Sequence, residues 1–152
     1  MIDMVSARKK MELFPSACRG AGLKVTPQRV AVYGMLLKTD SHPSAEEVYH
    51  VIRAAIPSIS LGTVYKILDT LHNQGFLRRV ATSRQTARYD ARVEPHHHTL
   101  CEQCGKIQDV DVALEPELVH LEKSTEDFRV KIPEVVFHGT CGDCAQPAPV
   151  VH

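Results

Sequence analysis

Apolar residues recur at two different periods along this chain, and the change of period divides it. Residues 1–25 read as helix that turns at Gly20-Ala21-Gly22. Thr26-Pro27-Gln28-Arg29 looks like a fresh start, because a threonine hydroxyl caps well and proline lacks an N–H that the first helical position cannot use. Val30, Tyr33 and Leu37 follow at helical spacing and define one apolar face. Ser44-Ala45-Glu46-Glu47 has the form of a capping box, with Val48 and Ile52 inward and Pro57 as the stop. A further helix is expected from Ser60, with Val64, Leu68 and Leu71 inward and an end near Gly75.

After Gly75 the period falls to two. Phe76–Val80 and Thr86–Tyr89 read as short strands joined by the polar loop Ala81 to Gln85. Short helices followed by a basic hairpin predict a winged helix-turn-helix, with the helix from Ser60 as reader and the hairpin as wing. Pro95 marks a boundary. Beyond it, His98–Cys101 and Ile107–Val112 read as strands around a turn at Cys104-Gly105. Glu115 to Glu126 reads as an amphipathic helix, with Leu114, Leu118 and Leu121 on one face, and Val130–Gly139 as another strand. The predicted class is α+β: a winged-helix domain over residues 1–90, a hinge at about residues 89–95, a small α/β unit over 96–144 and a disordered tail over 145–152. A unit this small is marginal alone and calls for a metal or a partner chain.

The formal net charge is zero, yet the charge is not evenly spread. Residues 1–90 carry 13 Lys and Arg against 7 Asp and Glu, while residues 91–152 carry 5 against 11. The basic half contains the predicted reader, which fits a polyanionic partner. Arg78, Arg79, Arg84 and Arg88 fall on the wing, where guanidinium groups suit phosphates and a narrow minor groove. Thr63, Tyr65 and Lys66 occupy the outer side of the reader helix. Aromatics make up only 5% of the chain, with no Trp, which implies an aliphatic core. No apolar run approaches the roughly 18 residues of a membrane span, and the opening MIDMVSARKKMELF has no signal-peptide core. A cytoplasmic protein with no membrane partner is expected.

Cysteine placement changes the picture most. Cys18 stands alone, while Cys101, Cys104, Cys141 and Cys144 form two C-x-x-C pairs separated by 36 residues. In a reducing compartment such pairs supply four thiolates for tetrahedral Zn2+, and a site filled by protein is structural, with no position left for substrate. A second cluster is Asp90, His96-His97-His98 and Asp109. Strand parity puts His96 and His98 on one face and leaves His97 to solvent or a supporting contact. Two imidazoles with nearby carboxylates describe a site for a divalent first-row metal.

The segments TPQRVAVYGMLL, SHPSAEEVY, SISLGTVYKILDTLHNQGFL, YDARVEPHHHTLCEQCGKIQDVD and CGDC resemble the ferric uptake regulator family, in order from about Gly20 to Cys144. The resemblance implies a winged-helix domain, a hinge and an α/β dimerisation domain carrying structural zinc. It implies a homodimeric transcriptional repressor, not an enzyme, acting on double-stranded DNA. A two-fold dimer reads two symmetric half-sites, so the expected operator is an inverted repeat. In the family the Tyr of the TVY motif, here Tyr65, contacts DNA.

The chain looks most like the peroxide-sensing branch. That branch's regulatory site falls by motif on His42 in SHPSAEE, Asp90 in RYDA, His96, His98, and Asp109 in GKIQD. Iron-sensing relatives more often carry Glu where Asp90 and Asp109 stand. The implied regulatory ion is Fe2+ or Mn2+, with Zn2+ able to substitute. The further site of many iron sensors would fall on Pro95, His97 and Thr140, which argues against a third metal. One ion held by a histidine of the basic half and by residues of the acidic half would fix their orientation, making DNA affinity depend on metal. An iron-uptake or zinc-uptake regulator of the same family is the alternative. A zinc metallohydrolase is the remote one, since five ligands leave little room for a reactive water and no separate general base is evident.

Overall fold

The computed structural model describes residues 4–80, 82, 86–113 and 133–145. They fall into two units, Met1–Val93 and Glu94–His152.

The first unit runs α1 (Met4–Gly20), α2 (Pro27–Leu36), α3 (Ala45–Ala55), α4 (Leu61–Asn73), β1 (Arg78–Val80) and β2 (Arg88–Asp90). Its helix boundaries are set by local chemistry that is visible in the sequence. Thr26 Oγ1 accepts the Arg29 amide at 3.2 Å, and Pro27 opens α2. At α3 the capping box closes in both directions, Glu47 N donating to Ser44 Oγ at 3.3 Å and Ser44 N donating to Glu47 Oε2 at 2.7 Å. Ser60 caps α4 through the Thr63 amide at 3.1 Å. The exit from α4 needs a left-handed residue, supplied by Gly75 at φ 77°. Gly75 N then reaches His72 O and Phe76 N reaches Leu71 O at 2.9 Å, which satisfies carbonyls the helix would otherwise leave open.

That exit explains why the hairpin strands are shorter than expected. With its amide closing α4, Phe76 cannot enter a ladder, and Leu77 is buried against the helices. Pairing therefore starts at Arg78, opposite Asp90, with Arg79 opposite Tyr89 and Val80 opposite Arg88. On the other side Thr86 O accepts the Thr82 hydroxyl at 3.2 Å, so Thr86 closes the loop rather than opening β2.

The core of this unit is not simply aliphatic, contrary to the reading from composition. The few aromatics are concentrated in it: Phe14 of α1 stacks on Tyr33 of α2 at 4.2 Å between ring centroids, and Phe76 meets Phe14 edge-on at 5.3 Å. Around them lie Val32, Leu36, Val48, Val64, Leu68, Leu71 and Leu77, all buried. Cys18 is fully buried in the same cluster, and burial pushes its thiol up from the ordinary value.

In the second unit β3 (His97–Cys101), β4 (Ile107–Val110) and β5 (Val136–Gly139) form one sheet in the order β4-β3-β5. β4 runs antiparallel to β3, and β5 runs parallel to it with His98 opposite Val136 and Cys101 opposite Gly139. Of the strand expected over Val130–Gly139, residues 130–132 lie outside the described residues, and among the rest pairing begins at Val136. Pro133 has no N–H to give a ladder, and the first link is His98 N to Val135 O at 3.0 Å. The helix expected over Glu115 to Glu126 and residues 146–152 of the expected tail lie outside the described residues. No helix among the described residues is long and apolar enough to cross a membrane.

Removing the ring at the centre of the aromatic cluster leaves a cavity against Tyr33 and Phe76. Phe14→Ala is expected to cost about 3–5 kcal/mol in urea unfolding followed by circular dichroism. Leu13→Ala, one position away on the exposed side, is expected to change stability by less than about 1 kcal/mol.

Candidate metal centres

Cys101 is the last residue of β3, and Cys104 lies in the turn that follows. The turn is closed by Gly105 N to Cys101 O at 2.8 Å, with Gly105 at φ 78°. Parallel pairing of β5 brings the second C-x-x-C alongside, and Glu102 N donates to Gly139 O at 2.9 Å. The second pair has its own turn, Cys144 N and Ala145 N both reaching Cys141 O. The four sulfurs all lie within 4.8 Å of one another, and Cys104 Sγ is 3.7 Å from Cys141 Sγ. All four cysteines are free thiols. A tetrahedron with Zn–S bonds of ~2.3 Å has sulfur–sulfur edges of ~3.8 Å, so the spacing suits that ion.

Electrostatics sharpen the fit. Amides of Cys104 and Cys141 point at Cys101 Sγ and hold its thiol down to about 6. Cys144, sharing hydrogen bonds with the sulfurs of Cys104 and Cys141, is pushed up to about 12. The first proton leaves easily, and the last is held in hydrogen bonds to the neighbouring sulfurs. A divalent cation at the centre removes that conflict.

In the first unit His42 sits buried in the loop between α2 and α3, with φ 51°. A non-glycine residue in the left-handed region just before a proline costs of order 1–3 kcal/mol and persists only where its surroundings impose it. They do so here through β2. Tyr89 N donates to Pro43 O at 3.1 Å, and the Arg88 guanidinium reaches His42 O at 3.4 Å and Glu47 Oε2 at 2.5 Å. The next residue of the strand is Asp90, whose Oδ2 lies 3.8 Å from His42 Nε2. Its other oxygen accepts the Arg92 amide at 2.7 Å.

In the second unit His98 and Asp109 are register partners on β3 and β4. Asp109 Oδ1 lies 3.6 Å from His98 Nε2 and 3.4 Å from His96 Nε2, and the two rings are 4.5 Å apart. His96 Nδ1 bonds Glu94 O at 2.8 Å. A carbonyl only accepts, so that proton is on Nδ1 and the Nε2 lone pair faces Asp109. His97 points the other way, as parity predicts, but it is buried rather than solvated, its Nδ1 accepting the Val135 amide at 3.2 Å. Sequence reasoning missed Glu134, whose Oε1 lies 3.2 Å from His98 Nδ1. It also missed Glu47 as the anchor of the His42 loop.

The residues expected at nucleic acid divide. Lys66 is exposed on α4, and Thr63 shares a 2.8 Å hydroxyl contact with Ser60. Tyr65 is 39% exposed, and its hydroxyl donates to Glu46 Oε1 at 2.6 Å, a bond that pushes the phenol up and holds the Glu46 acid down. Arg78 is half-buried on β1. Arg79 pairs with Asp69 of α4 and lies over the Tyr89 ring at 5.9 Å. Arg88 belongs to the clamp on the His42 loop, and Arg84 lies outside the described residues.

Residues 20–131 match the profile of the ferric uptake regulator family. Over 143 residues the chain is 30% identical to the peroxide-responsive repressor PerR of Staphylococcus aureus, covering 94% of this chain and 97% of that protein. Among solved structures it is similar to the Helicobacter pylori ferric uptake regulator, with a TM-score of 0.73 and 26% identity over 93% of this chain and 95% of that one. It is also similar to the Campylobacter jejuni peroxide stress regulator, with a TM-score of 0.64 and 32% identity over 94% of this chain and 100% of that one.

If the four thiols hold zinc, Cys101→Ser should lower bound zinc by about one ion per chain and loosen the three-stranded sheet, since such binding energy is largely folding energy. Cys18→Ser should leave zinc content unchanged. Metal analysis by mass spectrometry reads both, and full zinc in the Cys101 variant would remove the assignment.

Proposed function

Because the chain belongs to the ferric uptake regulator family of metal-responsive transcriptional repressors, we propose that this member senses peroxide through a metal site shared by its two units. The observation that carries the reading is a pair of half-sites with matching donors. His42 with Asp90 lies in one unit, and His96 and His98 with Asp109 in the other. Neutral imidazole nitrogens and carboxylates suit a divalent first-row ion, and two aspartates offer the short, hard oxygen ligands of a site for Fe2+ or Mn2+. Zn2+ is accommodated by the same donors, while the cysteine site takes zinc as a structural ion. The peroxide-responsive and peroxide-stress relatives, at 30% and 32% identity over nearly the whole chain, support this branch over iron or zinc uptake control.

In this reading the five side chains hold one ion between the units and so fix a single relative orientation. α1 to β2 act as a winged helix with α4 as the reader, and the second unit with its zinc is the dimerisation domain. Members of the family are DNA-binding dimers. A two-fold dimer presents two reading helices to two half-sites, so the operator is an inverted repeat. Thr63, Tyr65 and Lys66 face base edges, while Arg78, Arg79 and Arg84 meet the phosphates. Arg88 acts within the chain, holding the loop that carries His42.

Fe2+, when bound, supplies the redox chemistry that makes hydrogen peroxide a strong local oxidant. The response itself belongs to the chain. His42 and His96 are buried against the carboxylates, and an oxygen added to either imidazole weakens its donor nitrogen. The units then lose their common tie and DNA is released.

Mild peroxide treatment of the iron form is expected to add one oxygen to His42 or His96 in peptide mass spectrometry and to abolish operator binding. The manganese form should show neither change. Iron-dependent binding that survives peroxide, with both histidines unmodified, would reassign the protein to iron-uptake control. For the DNA face, Tyr65→Ala should reduce discrimination between operator and unrelated sequence. Arg84→Ala should weaken binding to every sequence and lower the salt slope by roughly one unit in fluorescence-anisotropy titrations.

A further inference from the structure

A histidine ligand is only as good as the group on its far side. The acceptor at the second ring nitrogen sets which nitrogen carries the proton and fixes the rotation of the ring. In the second unit the two histidines facing Asp109 are served by different groups. His96 Nδ1 bonds a backbone carbonyl, that of Glu94, at 2.8 Å. His98 Nδ1 has a carboxylate oxygen of Glu134 at 3.2 Å, while its Nε2 is 3.6 Å from Asp109 Oδ1. The His98 ring is fully buried, and the Glu134 side chain is 24% exposed. A buried imidazole beside a carboxylate on each edge has one arrangement that satisfies both chemistry and metal binding: the proton toward Glu134 and the lone pair toward Asp109.

The segment holding Glu134 is well placed for this work. The next residue, Val135, donates its amide to His97 Nδ1 at 3.2 Å and accepts the His98 amide at 3.0 Å. A backbone N–H only donates, so His97 carries its own proton on Nε2, the opposite tautomer to His96. Two adjacent residues, Glu134 and Val135, thus make three contacts with the histidine run, and β5 leads from there to Cys141.

We infer that Glu134 is a positioning residue of the regulatory site: it holds His98 as the Nδ1–H tautomer and aims Nε2 at the ion. The inference rests on the reading of His98 as a ligand. Glu134 itself is not one, because the two nitrogens of an imidazole point away from each other across the ring. Being a carboxylate rather than a carbonyl, it also raises the donor strength of His98 above that of His96.

The test uses the full-length, zinc-loaded protein and Mn2+ as probe, with free Mn2+ followed by electron paramagnetic resonance. Glu134→Ala is expected to weaken Mn2+ binding by roughly 10–100-fold with zinc content unchanged. In nitrogen-15 spectra of the histidine rings before Mn2+ is added, His98 should change from the Nδ1–H form to a mixture of tautomers. Glu134→Gln keeps an acceptor oxygen, so it should keep the tautomer and recover part of the affinity. An equal loss in the Gln and Ala variants with no change of tautomer would make Glu134 a ligand and overturn the assignment. Unchanged affinity and tautomer in Glu134→Ala, alongside lost affinity in His98→Ala, would remove Glu134 from the site. Mn2+ affinity retained in His98→Ala would instead remove the reading of His98 on which the inference depends.

Discussion

Four sulfur atoms, all within 4.8 Å of one another, set the terms for the C-terminal unit. Only a thiolate binds metal, and thiolates this close repel one another. The conflict appears in the opposite displacement of Cys101 and Cys144, one thiol made acidic by backbone amides and the other made reluctant by its neighbours. Moving apart is no remedy. Cys101 and Cys104 share one closed turn, and Cys141 N is hydrogen-bonded to Cys101 Sγ at 3.3 Å. A cation converts this repulsion into cohesion. The unit has need of it, because its described strands are four or five residues long and bury few apolar side chains, Leu100 and Ile107 chief among them.

The N-terminal unit meets a different demand, which is to hold one histidine in a conformation its backbone resists. Glu47 makes that economical. Its carboxylate closes the capping box of α3 and receives Arg88 from β2, so the start of a helix and the edge of a hairpin share one anchor. Arg88, Tyr89 and Asp90 are consecutive: the first two grip the loop around His42 and the third faces its imidazole. Any displacement of β2 therefore moves the carboxylate and the histidine loop together. Geometry held in this way is pre-organised, and it does not depend on the ligand to create it.

Much of this was legible in the sequence because it is local. Thr26-Pro27, the capping box at Ser44, the C-x-x-C pairs and the parity of His96 and His98 each declare their structure within four residues. His42 entered only through the resemblance to the family, since nothing periodic marks it and its partners on β2 lie far along the chain. The arginines are less legible. By composition they are alike, and a hairpin of arginines reads as a surface for phosphate, yet Arg88 also pairs with Glu47, a carboxylate that sequence spacing does not connect to it. Glu134 was invisible for the same reason, its partner being brought to it by parallel pairing of β3 and β5. The strand limits were misjudged where a single amide was claimed by something else, as at Phe76, or was missing, as at Pro133.

β3 carries His98 for one cluster and Cys101 for the other, three positions apart and hence on opposite faces of the same ribbon. Its two neighbours are locked to it residue by residue, Asp109 opposite His98 on one side and Gly139 opposite Cys101 on the other. Such a strand has no tolerance for insertion or deletion. Losing a single residue between the two would exchange inside for outside and leave Asp109 and Gly139 facing the wrong partners. Turns elsewhere in a protein can lengthen or shorten as lineages diverge, but this stretch can vary only by substitution. Thr99 and Leu100 are thus a spacer whose length, more than whose chemistry, is under constraint.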